Sequence, residues 1–531
     1  MSEKVIDVLI VGAGPTGTAL AIDLARRGLD IRIVDKAATV FSGSRAKGVQ
    51  PRTLEVLQDL GALEDVMTIG IDYPPLGIHL GPLVIPWRMI SQSKRTADVP
   101  YPNTRLIPQC YTDCALHERL KTLGRRVEFG KELVSLTQDD EKATGKVTGA
   151  EGTESISARY VVSAEGGSSS LRRELNIDFI GTTHDEDRMI IVDARTTGLS
   201  RSRWHIWPGS GGRFVGACPL PPGDLFQWMI RLGPEETPNL SPGVIRERIQ
   251  ERIKDPRVRL QDIHWKSVFR PNIRLAEHYR KGRVFLAGDT AHVHAPAGAQ
   301  GLNTGIQDAY NLGWKLAQVL AGANSELLDS YEAERQPIAA AVLKLSTKKY
   351  DGIAKLDPSS LRRGTQEKQL ALTYRGGPLA SDKHARTSTL QAGDRAPDAE
   401  LIASNGSPAR LFETFIGPHF TAIAYGNGAA LALDELDWPT TGAALKRVFV
   451  EVTTAHPSGA VFRDDGNTFR RHYGVTGDTL LLIRPDGYIG HIASGDRLNT
   501  LHAAASRMTP TTQAPGSWKT HAMAHSTRIG E

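Results

Sequence analysis

The segment Gly12-Ala13-Gly14-Pro15-Thr16-Gly17 stands between an apolar, β-branched run, Val5 to Val11 (VIDVLIV), and a stretch to Arg27 that carries Ala19, Leu20 and Leu24 at helical spacing. No other feature narrows the fold as much. A strand buried on both faces of a parallel sheet reads as a continuous apolar run, and only Asp7 interrupts this one. Gly28 stands where a helix C-cap belongs, and Asp30 to Val34 returns as a second strand that ends on Asp35. The result is a βαβ unit with G-x-G-x-x-G at its first turn. Gly12, Gly14 and Gly17 lack side chains, so backbone N–H groups and the helix N-terminus can approach a pyrophosphate, while Asp35 can accept hydrogen bonds from a ribose diol. The plain alternative is a tight turn followed by an exposed Asp.

With 531 residues the chain has room for several domains. Trp204 to Trp207, Arg213 to Pro219 and Leu225 to Leu232 are short strand-like runs between Pro- and Gly-rich breaks, as expected of an inserted antiparallel sheet. Val284 to Ala287 returns to a buried strand, and Ile306, Tyr310, Gly313, Ala317 and Leu320 then mark one face of a helix. A polar stretch punctuated by Pro358, Gly364, Gly376, Gly377 and Pro378 precedes further alternation of strands and helices, with a hairpin turn at Pro485-Asp486-Gly487. These runs give an α/β chain. Its expected divisions are a first part of the dinucleotide fold at 1–180, an antiparallel substrate sheet at 181–280, the return of the first fold at 281–390, a smaller α/β domain at 391–500 and a tail at 501–531.

A second constellation lies at the return. Gly288-Asp289-Thr290-Ala291-His292 continues through His294, Pro296, Gly298, Gly301, Leu302 and Asn303 into the helix. An Asp at a strand end can bind sugar hydroxyls, and a glycine-rich helix start can offer N–H dipoles to a ring carbonyl. Asp289, His292 and His294 could also ligate a metal, although they lack the register of a helical zinc motif. For each His taken alone, a satisfied buried imidazole is the simpler reading.

Composition removes other partners. A net charge of +5 is too thin for a nucleic-acid-binding face, and charged residues interrupt every apolar run before it reaches bilayer length. Cys110, Cys114 and Cys218 cannot form a disulfide framework; with no leader segment in view, the expected compartment is the cytoplasm. Cys110 and Cys114, four apart in an expected helix, read as small buried residues.

Four motifs in order, GAGPTG, GSRAKGVQPRTLEVL from Gly43, AEGGSSSLRR from Ala164 and GDTAHVHAPAGAQGLNTGIQDAYNLGWKLA from Gly288, resemble the FAD-dependent aromatic hydroxylases of the para-hydroxybenzoate hydroxylase type. In length and C-terminal extension the chain looks most like phenol hydroxylases and the bacterial hydroxylases of polyketide and antibiotic chemistry. The resemblance implies a Rossmann-like FAD-binding domain with an inserted antiparallel substrate sheet and a C-terminal thioredoxin-like domain.

It also implies roles. Gly12, Gly14 and Gly17 would hold the FAD pyrophosphate and Asp35 the adenosine ribose. Arg45 would reach the phosphates or ribityl chain, Gln109 the ribityl region and Asp289 the sugar hydroxyls. Gly301, Leu302 and Asn303 would line the pyrimidine edge of the isoalloxazine, with Pro296 near the ring where oxygen reacts. The implied activity is hydroxylation of a small phenolic or polycyclic aromatic substrate with NADPH or NADH and dioxygen, through a flavin hydroperoxide. Oxygen insertion beside a ketone, inactivation of an antibiotic and non-catalytic flavin binding stay open as alternatives, and a homodimer is a possible assembly. His205 and Trp228 are guesses for the pocket, with ordinary sheet packing the simpler reading.

Three positions depart from the family. Glu165 and Ser168 replace the usual Asp and Arg of the middle motif, which is tied to flavin and nicotinamide contacts, and Ala299 stands where a second Gly is common. The C-terminal region carries no cysteine, so it cannot exchange thiols.

Overall fold

The computed structural model describes residues 4–295, 298–354, 364–380, 390–453, 458–495 and 497–510. Five parallel strands form its centre, in the order Val284–Leu286, Gly152–Ser163, Val5–Val11, Ile31–Asp35 and Val127–Phe129. Val5–Val11 lies in the middle, and Val8 to Val11 are all buried, which is why the run is apolar at consecutive positions. Glu132–Gln138 and Ala143–Gly149 continue the sheet as an antiparallel meander. The helices Pro15–Ala25 and Gly301–Leu320 cross closely over it. A Cβ on Gly305 would meet Thr16 Oγ1 at 2.3 Å and one on Gly313 would meet Asp23 Oδ2 at 2.3 Å, so glycine permits the crossing.

A second sheet has seven strands, in the order Arg259–Phe269, Met189–Thr197, Leu225–Arg231, Phe214–Pro219, Trp204–Pro208, Leu76–Leu80 and Leu83–Trp87. The last two were not anticipated from sequence, and Leu76–Leu80 joins Trp204–Pro208 in parallel. Strand alternation sorts the sheet's two faces. Ile190, Val192, Phe226, Trp228 and Ile230 pack in one core with Ile245, Ile249 and Ile253 of the helix Pro242–Ile253. Met189, Ile191, Gln227, Met229 and Arg231 point the other way, towards the first sheet.

A third, mixed sheet of seven strands occupies the C-terminal part, centred on Leu445–Val450, Phe420–Tyr425 and Thr479–Ile483. Asn427–Asp434 and Arg497–Ser506 cover one face and Thr468–Tyr473 the other. Arg497–Ser506 runs through the boundary expected at 500, with Leu501, Ala504 and Ala505 buried. The expected loose tail from 511 onwards, Pro358 and Pro296 lie outside the described residues.

Buried ions tie this sheet to the first domain. Glu334 accepts from Arg484 Nη1 at 2.6 Å and from Lys315 Nζ at 2.8 Å, and Trp314 Nε1 donates to Asp486 at 3.2 Å. Arg395 Nε donates to Glu55 at 2.8 Å. Burial would raise the Glu334 carboxyl, but Arg484 and Lys315 hold it down to about 2. Among the described residues no helix is long and apolar enough to cross a membrane.

Candidate active site

The three glycines of the first turn have different duties. Gly12 has φ +104°, and a Cβ there would lie 2.3 Å from the Ala164 carbonyl oxygen; a Cβ on Gly17 would lie 1.9 Å from the Gly12 oxygen. Both are required by the turn and by packing of the helix on the strand. Gly14 has φ −70°, and a Cβ there would meet nothing within 4 Å. Its missing side chain therefore leaves open space in front of the helix Pro15–Ala25, whose N-cap has no side-chain hydrogen bond. Unpartnered N–H groups at such an end suit an anion. Asp35 shapes the same wall, accepting from Ala13 N at 2.7 Å and Ala37 N at 2.8 Å.

This turn opens into one cavity of about 1320 Å³ that runs from the first sheet to the inner face of the second. Gly12, Gly14, Asp35, Arg45, Gln109, Asp289, Gly301 and Leu302 all line it. Arg45 lies over the Phe41 ring at 5.2 Å and has no carboxylate partner among the described residues. Gln109 starts the helix Gln109–Thr122 and joins it to the Arg45 segment: its N–H donates to the Ala46 oxygen at 2.7 Å and its Oε1 accepts from Ala46 N at 3.3 Å. Asp289 reaches the cavity with no hydrogen-bond partner among the described residues, and protein enclosing it on the other sides raises its pKa.

Gly17 and Asn303 do not line the cavity. Asn303 is buried, accepting from Gln50 N at 2.8 Å and donating to the Gly48 oxygen at 2.8 Å and the Ala299 oxygen at 2.7 Å. Its side chain fastens the strand Gly48–Val49 to the start of the helix Gly301–Leu320. Ala299 sits at φ +53°, so the position where the family favours glycine is also left-handed here.

The histidines separate. His292 is buried and bonded to Asp308 at 2.6 Å, while Arg335 Nε donates to the same carboxylate at 2.7 Å. That is close to the simpler reading of a packed, bonded imidazole, but only Nε2 is engaged and the buried Nδ1 has no hydrogen-bond partner among the described residues. His294 lines the cavity with neither nitrogen hydrogen-bonded, and burial pushes its pKa well below the usual imidazole range. Among the described residues no group of His, Cys, Asp or Glu could hold a metal ion. His205 and Trp228 are held away from the cavity, His205 by His79 and the Ser200 oxygen at 2.8 Å each and Trp228 by Thr196 at 3.0 Å. They pack the sheet, as the simpler reading has it.

Glu165 lines the cavity, yet its carboxylate is engaged by its own loop, accepting from Ser163 at 2.8 Å, Ser169 at 2.5 Å and Ser170 at 2.6 Å. Ser168 is exposed and not part of the wall. Cys114 is exposed and Cys110 half-buried, against the expectation that both are buried.

Sequence reasoning missed Asp113. It is buried one turn after Gln109, whose amide donates to it at 3.3 Å, and burial raises its pKa to about 7. The i, i+4 pairing of Gln109 and Asp113 was the available signal. The sheet-facing end of the cavity was also hidden, because Leu76, Ile78, Trp204, Ile206, Met189 and Ile191 come from three separated stretches.

The wall fits FAD: open space at Gly14, free donors at a helix end, a cation at Arg45 and an unpartnered carboxylate at Asp289 match a dinucleotide's phosphates and sugar hydroxyls. Comparison with known proteins agrees. The FAD binding domain family matches residues 5–346. A flavin-dependent monooxygenase of Mycobacteroides abscessus is 39% identical over 497 residues, covering 92% of this chain and 98% of that protein. The 12-dehydrotetracycline 5-monooxygenase/anhydrotetracycline 6-monooxygenase of Streptomyces rimosus is 32% identical over 516 residues, covering 91% and 94%. In fold the chain is similar to aklavinone-11 hydroxylase, solved with FAD and aklavinone, with a TM-score of 0.81 and 24% identity over 96% of this chain and 99% of that one. A glycine turn with room for a pyrophosphate, in a chain matched along nearly its whole length by such enzymes, leads to one conclusion: the protein belongs to the FAD binding domain family and is a flavin-dependent monooxygenase.

Proposed function

We propose that the protein hydroxylates a phenolic or polycyclic aromatic substrate, using NADPH or NADH and dioxygen. The observation that carries this is the single cavity joining the glycine turn to an apolar sheet face, which gives FAD and an aromatic ring adjoining places. FAD, when bound, supplies the redox chemistry that accepts hydride and delivers one oxygen atom.

The chain's own residues bind and orient. Backbone N–H groups at Gly14 and the following helix turn would hold the pyrophosphate, with Gly12 and Gly17 keeping the turn tight. Asp35 would take the adenosine ribose, Arg45 and Gln109 the phosphate and ribityl region, and Asp289 the sugar hydroxyls. Gly301 and Leu302 would border the isoalloxazine, with Asn303 holding that helix start in place and Pro296 nearby. Met189, Ile191, Trp204 and Ile206 would exclude water from the reacting ring. A C-terminal region without cysteine, read as thioredoxin-like, takes no part in electron transfer. Three unpaired cysteines suit a reducing compartment such as the cytoplasm.

The test is aerobic incubation of the FAD-loaded enzyme with NADPH or NADH and a panel of phenols, naphthols and polyketide-like quinones. A product heavier by one oxygen, formed with consumption of reduced nicotinamide, is expected. Yellow protein that oxidises no nicotinamide with any member would favour a flavin-binding role without catalysis.

A further inference from the structure

Lys47 follows the Arg45 segment into the sheet-facing end of the cavity. Its Nζ donates to Gln227 Oε1, lies 3.8 Å from Met229 Sδ and sits 4.4 Å from the centre of the Trp204 ring. No carboxylate among the described residues pairs with it. The neighbouring cations differ: Arg231 is held by Asp187, Arg213 by Glu236 and Arg270 by Asp185.

The arrangement behind Lys47 is built. Gln227, Ser44 and Asp193 are all buried. Ser44 donates its N–H to Asp193 at 2.7 Å and its hydroxyl at 2.5 Å, and Gln227 donates its amide to the Ser44 carbonyl oxygen at 3.1 Å. Gln227 is thereby oriented with its oxygen towards the ammonium; reversed, two sets of N–H groups would face each other. Tyr73 donates to the Lys47 carbonyl oxygen at 3.2 Å, fixing the backbone. An ammonium has three protons, and one amide oxygen answers one of them. Thioether sulfur and an indole face are weak partners for the charge that is left. Burial lowers the Lys47 pKa, Asp193 offsets part of this through space without touching it, and an anion bound at that spot favours the charged ammonium.

We propose that Lys47 is the anchor for an ionised ring oxygen, so that the substrates are arenes with an acidic hydroxyl, bound as phenolate or enolate beside Trp204. This rests on the aromatic-hydroxylase reading above. An ionised oxygen enriches the ring carbons ortho and para to it, which are those an electrophilic oxygen attacks. The same contact therefore selects the substrate and sets its orientation.

The test uses oxidised, FAD-loaded protein without nicotinamide, titrated with 6-fluoro-2-naphthol and with its methyl ether, and followed by flavin absorbance and fluorine NMR. The wild type is expected to prefer the naphthol by about tenfold or more. The bound naphthol should show the fluorine shift of the anion at a pH where the free molecule is neutral. Lys47→Met should lose both the preference and the shift, and Lys47→Arg should keep them. Overturning results are a neutral bound naphthol in the wild type, which needs no variant to be seen, or an unchanged preference in a Lys47→Met protein with wild-type FAD content and melting temperature. If neither arene nor any panel phenol binds the wild type, the hydroxylase reading fails; if they bind without regard to Lys47, only this inference fails.

Discussion

Gly12 and Gly14 look alike in the motif and differ in what a methyl group would strike. At Gly12 it meets a backbone oxygen in a left-handed conformation; at Gly14 it meets open space. Gly12→Ala is therefore expected to lower the melting temperature of the cofactor-free protein, at a cost of about 1–2 kcal/mol or more. Gly14→Ala should leave that temperature within a degree or two yet weaken FAD binding, as followed by flavin fluorescence. Asp113 gives a pH signature. Its raised pKa means that the fold favours the protonated carboxyl, so this contribution to stability is present at acid pH and declines as pH rises from near 4 through about 7. Asp113→Asn should remove the decline, stabilising the cofactor-free protein at pH 8 relative to pH 5 by up to about 3 kcal/mol. Urea unfolding at the two pH values measures it.

At the level of elements, the helix Gly301–Leu320 carries the site because its start is pinned. Asp308 receives His292, Arg335 and the Gly288 N–H, binding the loop after the strand Val284–Leu286 to the helix. Burial would raise its pKa, but His292 and Arg335 lower it. Asp308→Asn leaves a buried guanidinium without its anion and is expected to cost about 3–5 kcal/mol, read as a lower urea midpoint. The strand-turn-helix at the N-terminus was legible because each step is local: an apolar run, glycines and a C-cap at Gly28. The strands Leu76–Leu80 and Leu83–Trp87 were not. They form a partly exposed hairpin on one edge of the sheet, and it joins the sheet only where Leu76–Leu80 pairs with residues more than a hundred positions away, so local sequence does not show which sheet it belongs to. Asn303 was legible as a residue of the helix start, while its side-chain bonds across to Gly48 and Gln50, which keep it out of the cavity wall, were not.

Across the whole molecule, the C-terminal sheet is fastened through Glu334, Lys315, Arg484 and Asp486, all with fully or almost fully buried side chains. Arg484→Met should destabilise the full chain by about 3–5 kcal/mol, because Glu334 and Asp486 lose their shared cation. Truncation before Ala392 should give poorly soluble protein, whereas replacing Cys110, Cys114 and Cys218 together should leave flavin reduction intact. No local pattern in the sequence announces this ion cluster; its members lie on two helices and a hairpin turn that meet only in the folded chain. The account's central claim is that one cavity holds cofactor and substrate together. A crystal structure of the protein with FAD and a turned-over aromatic tests it most directly. The expected result has the pyrophosphate at Gly14, the sugar chain at Asp289 and the aromatic ring between Ile191, Trp204 and Ile206. An aromatic bound outside that sheet face, or FAD bound away from the glycine turn, would contradict it.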